Sequence, residues 1–131
     1  MLQLSLTTAL ALHNIEVPNK DELLHYFIKR NIFYRTDNME QPMVDIMTET
    51  FFPADPIKIG VHYIIYALKV LGCQPESEVM KEGYRILDKY KLSDGRYIIS
   101  DFKSVPAFKP GNKSEANKWI TFYAYMAKGE L

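Results

Sequence analysis

The chain has 131 residues, enough for one domain and too few for two. With 47% hydrophobic and 24% charged residues it has an ordinary globular mix, which excludes wholesale disorder. Sixteen basic residues balance sixteen acidic ones, so the basic excess expected of a nucleic-acid binder or a basic membrane-surface helix is missing.

Leu2 to His13 is apolar on most sides and reads as a buried helix stopped by Asn14. It resembles a signal peptide only faintly, because no positive charge precedes it, and no stretch of the chain is apolar enough to span a bilayer. After the turn at Val17-Pro18-Asn19, with Asn19 as expected cap, Leu23, Leu24, Phe27 and Ile28 recur at helical spacing and fade near Tyr34-Arg35. A short helix is expected over 42–50, then an aromatic loop punctuated by Pro53 and Pro56.

Ile57 to Leu71 has almost no polar face and predicts the most deeply buried helix, ended by Gly72. The next helix is one-sided: Val79, Met80, Gly83, Ile86, Leu87 and Tyr90 form a stripe. Asp94-Gly95 predicts a tight turn leading to an extended Tyr97-Ile98-Ile99. An irregular stretch follows to Gly111, and a last helix starts around Ser114–Asn117 and runs to Gly129. The single cysteine, Cys73, can form no intrachain disulfide and follows the end of an apolar helix; this suits a small structural residue and a cytoplasmic setting.

The apolar helices align with one another. Ile64–Gly72 matches Thr121–Gly129 at a spacing of 57 and Leu6–Asn14 at 58, with Ala67, Ala124 and Ala9 in register. The chain therefore reads as a single helical-repeat domain over 1–131, with repeats of approximately 2–56, 57–111 and an incomplete 112–131. Each unit is a buried helix followed by a surface helix, and such pairs stack because one pair cannot cover its own apolar face.

Gly83, Leu87, Asp94-Gly95 and Tyr97 follow a Gly-aromatic-Leu, Asp-Gly-aromatic order, and Lys118-Trp119-Ile120-Thr121 with Ala124 suits an inner helix opening a further repeat. This pattern resembles the degenerate repeat of terpene cyclases and protein prenyltransferases, and is similar to that of prenyltransferase-like bacterial proteins. The resemblance implies an all-α fold, an α/α toroid-like stack of about two and a half helix pairs. It departs from the enzymes of that superfamily: Asp37, Asp45, Asp55, Asp94 and Asp101 are scattered rather than clustered, and His13, His25, His62 and Cys73 lack zinc-ligand spacing.

No catalytic residue, metal ligand or cofactor is therefore expected. His62, Tyr66, Trp119 and Tyr123 are the candidate ligand-binding residues, because they fall on the apolar helices and could line a concave aromatic face. The expected function is a non-catalytic module that binds a protein partner or an apolar small molecule, with self-association or docking onto other domains. An isoprenoid-processing subunit completed by oligomerisation and a structural piece of a larger toroid are the alternatives.

Overall fold

The computed structural model describes residues 2–41, 60–98 and 115–131. They form α1 (Leu2–Leu12), α2 (Lys20–Lys29), α3 (Val61–Val70), α4 (Glu78–Asp88) and α5 (Lys118–Lys128). Among the described residues the only β structure is two isolated bridges, Lys91 with Tyr97 and Ile98 with Ala116, so the fold there is all-α. The helix expected over 42–50, the aromatic loop after it, and most of the stretch to Gly111 lie outside the described residues.

The core is centred on α3, whose Val61, Ile64, Ile65, Ala67 and Leu68 are all buried. It packs against α1, α4 and α5. α4 behaves as its pattern demands: Val79, Met80, Gly83 and Leu87 are buried while Lys81, Arg85 and Lys89 stay in solvent. The approach of α4 to α3 depends on Gly83, where a Cβ would stand 2.6 Å from Phe33 Cζ and 2.9 Å from Ile65 Cγ1.

The three helices aligned by sequence end alike. Asn14, Gly72 and Gly129 all take left-handed backbone, with φ of 54°, 97° and 75°. The next residue donates its N–H back to the helix in each case: Ile15 to the Leu10 carbonyl at 3.0 Å, Cys73 to Leu68 at 2.9 Å and Glu130 to Tyr125 at 3.0 Å. The left-handed residue itself donates to Ala11, Lys69 and Met126 respectively. This is a Schellman cap, and it satisfies carbonyls that a helix end leaves open.

A polar node fastens the Asp94-Gly95 turn and α4 to α5. Gly95 has φ 87°, which lets the chain reverse and deliver Tyr97 into the core, wholly buried. Its hydroxyl donates to Asp88 Oδ1 at 2.6 Å, and Lys128 Nζ donates to the same carboxylate at 2.7 and 2.8 Å. The Tyr125 hydroxyl donates to the Gly95 carbonyl at 3.0 Å, and Thr121 Oγ1 accepts from the Tyr97 N–H at 2.9 Å.

Several expectations need correction. α1 is not covered on most sides: Leu4, Thr7 and Thr8 are buried, but Leu6 is 59% exposed and Leu12 half exposed. Composition shows that a helix is apolar; it does not show whether a neighbour covers it. Asn19 precedes α2 in left-handed backbone without a side-chain cap bond, and it is its carbonyl that accepts, from Leu23 N–H. α2 ends at Lys29, where Asn31 turns left-handed, rather than near Tyr34. α5 begins at Lys118 because Asn117 caps it, its side chain accepting from the N–H groups of Trp119 and Ile120.

Candidate functional site

Between α3 and α5 the surface sinks into a hollow of about 190 Å³, lined among the described residues by His62, Tyr63 and Tyr66 of α3 and by Tyr123 and Met126 of α5. The geometry follows from helical spacing. His62 and Tyr66 lie one turn apart, and so do Tyr123 and Met126, so each pair projects on one face. The His62 ring faces that of Tyr123 across the joint, centroids 5.6 Å apart and tilted by 34°. Tyr123 also meets Phe122 edge-on at 5.3 Å.

Below His62 a small void of about 20 Å³ is bounded by Val61, Leu87, Tyr90, Tyr97, Ile98 and Ile120. Burial favours the neutral form of a basic group, and it pulls the His62 imidazole down to about 4. His62 is therefore uncharged at neutral pH, with one donor and one acceptor nitrogen. The other lining residues that carry a hydroxyl are Tyr63, Tyr66 and Tyr123.

Of the four expected site residues, three meet here. Trp119 does not: it lies 49% exposed on the flank of α5, with Lys118 Nζ 5.4 Å from its ring centroid. Sequence reasoning missed Tyr63 and Met126. Met126 was reachable, since it stands three positions after Tyr123 on the same helix.

Comparison with protein-family models, with curated proteins and with solved structures finds no match. The chemistry of the hollow must then be read from its own residues. No Asp, Glu, Ser or Cys is among the described lining residues of the hollow or of the void beneath it. Among the described residues no group of three His, Cys, Asp or Glu could hold a metal ion. No helix there is long and apolar enough to cross a membrane. What the arrangement can do is remove a small apolar body from water, stack against rings, and make one or two hydrogen bonds to neutral groups.

The low proton affinity of His62 has a consequence for stability. Unfolded, the imidazole takes up its proton near pH 6.5; folded, only near 4. Between those values the unfolded chain binds the extra proton, so stability falls as pH drops from about 6.5 to about 4 and levels off below. The loss is on the order of 2 kcal/mol, less than the full shift implies because the ring keeps some exposure. Thermal melts at pH 7 and pH 5 should differ for the native chain and converge for His62→Gln; an equal decline in both would refute the assignment.

Proposed function

We propose that this chain is a non-catalytic helical-repeat binding module, and that its hollow between α3 and α5 takes a neutral ligand of one or two rings. The observation that carries this reading is the lining itself: three tyrosines, one uncharged histidine and one methionine around about 190 Å³. An apolar cavity of about 150 Å³ is enough for benzene. Methionine adapts its shape to a ligand, and tyrosine adds a polar tip to a large apolar surface.

The same reading makes the architecture an open arc of α/α toroid type, with α1, α3 and α5 as the inner row and α4 in the outer layer. The matching Schellman caps and the packing of α3 on both α1 and α5 support it. The single buried cysteine supports a cytoplasmic setting. An isoprenoid-processing role is the weaker reading, because it calls for a carboxylic acid beside the substrate and the described lining supplies none.

Calorimetric titration with indole tests the proposal. The native chain should show one saturable site, and Met126→Trp, which fills the hollow with a larger side chain, should weaken it by at least roughly tenfold, about 1.4 kcal/mol. Absence of saturable binding, or unchanged affinity in the variant, would refute it.

A further inference from the structure

The flanks of the helix row carry an inference that goes beyond ligand binding and does not depend on it. Aligned positions show which side of each helix a neighbour covers. Leu4, His62 and Trp119 share one position. Leu4 is wholly buried in α1, and His62 faces Tyr123 of the next helix in the row. Trp119 on α5 is 49% exposed, and Phe122, one turn on along the same face, is 45% exposed. The counterparts of Phe122, Thr7 and Ile65, are both buried.

The opposite side shows the reverse order. Ala67 and Ala124 are buried in α3 and α5, while Ala9, at their position in α1, is exposed. Ile64 is wholly buried, while its counterpart Leu6 is 59% exposed. So among the described residues α1 is bare on the side where α3 and α5 are covered, and α5 is bare on the side where α1 and α3 are covered. Inside the chain α3 packs against both α1 and α5. Each bare flank is one half of a third joint.

We propose that this third joint forms between two copies of the chain, with the Trp119–Phe122 flank of α5 in one copy receiving the Leu6–Ala9 flank of α1 in the next. Ala9 presents the same small side chain that Ala67 and Ala124 bury inside the chain. The two mating surfaces differ, so the contact is heterologous and propagates head to tail into rings or filaments instead of stopping at a symmetric pair.

Sedimentation velocity on the full chain tests this, using Leu6→Glu and Trp119→Glu. Both positions are exposed, and circular dichroism establishes that helix content is kept; Ala9→Arg, on the same flank as Leu6, is the second variant for that side. The native chain should gain mass with concentration beyond a dimer, and each variant alone should sediment as a monomer. An equimolar mixture of Leu6→Glu and Trp119→Glu should give particles of twice the chain mass, since it holds one intact flank of each kind. A native chain that stays monomeric, a Leu6→Glu chain that associates like the native one, or a mixture that stays monomeric would each overturn the proposal.

Discussion

Asp88→Ala is expected to destabilise the chain by about 3 kcal/mol, a fall in melting temperature of roughly 10 °C. Among the described residues the carboxylate is the acceptor for two groups that have left water. The Tyr97 hydroxyl sits on a wholly buried ring, and the Lys128 side chain is only 10% exposed. Removing Asp88 leaves a buried hydroxyl and a nearly buried ammonium without it. The cost is held at the lower end for a buried ion pair because the carboxylate itself is 40% exposed.

Controls separate the contributions. Tyr97→Phe should cost about 1 kcal/mol, since Asp88 keeps Lys128. In the Lys128→Met background Asp88→Ala should cost clearly less than alone, because the stranded charge is gone. The node also has a pH signature distinct from that of His62. Burial pushes the Asp88 carboxyl up, but the hydrogen bonds from Lys128 and Tyr97 and the charges of Lys128 and Lys91 outweigh it and hold the group below the usual carboxylate range. Its contribution is therefore present above the unfolded carboxyl pKa and lost as pH falls below about 4. Chemical denaturation at pH 7 measures the set; an Asp88→Ala chain within about 0.5 kcal/mol of native would contradict this account of the node.

Substitution of Gly83 is the second large effect. Alanine is the better helix former by about 1 kcal/mol, yet its methyl would fall within 2.6 Å of Phe33 Cζ and 2.9 Å of Ile65 Cγ1. Both neighbours are wholly buried, so neither can swing into solvent. Overpacking of this kind costs about 1–3 kcal/mol and should outweigh the helix gain, leaving Gly83→Ala destabilised by about 1 kcal/mol. Gly83→Val, with two more carbons and a stiff side chain, should lose about 3 kcal/mol or unfold. Phe33→Leu removes the nearer clash, so Gly83→Ala should be better tolerated in that background. A Gly83→Ala chain more stable than native would show that helix propensity wins and that α4 has room to move.

These two sites also mark how far the sequence could be read. The apolar periodicity of α3 and the one-sided stripe of α4 are written in consecutive residues, and the helices appear there. Gly72 and Gly129 stop helices because left-handed backbone costs glycine nothing, and Asn14 is among the few other residues that tolerate it. Gly83 was legible as a glycine in the middle of a helical stripe, but its reason, Phe33 standing on the other side, joins residues 50 positions apart. The Asp88–Tyr97–Lys128 node likewise unites groups 9 and 40 positions apart. Pattern reading along the chain has no access to such pairs.

The candidate site divides the same way. His62, Tyr66 and Tyr123 come together because α3 packs on α5. Trp119 is placed apart because α5 has no further helix of the described residues on that flank, which is a fact about neighbours and not about α5 itself. The exposure of Leu6 and Leu12 has the same origin: α1 is as apolar as a buried helix and is covered on one side.

Methyl NMR of the methionines during an indole titration tests the proposed binding in the hollow most directly. Met126 lines the hollow, while Met39 is exposed far along the chain and serves as the internal reference. The Met126 resonance, assigned with Met126→Leu, should shift along a single saturating curve while Met39 stays in place. A Met126 signal that does not move, or that moves no more than Met39, would contradict it.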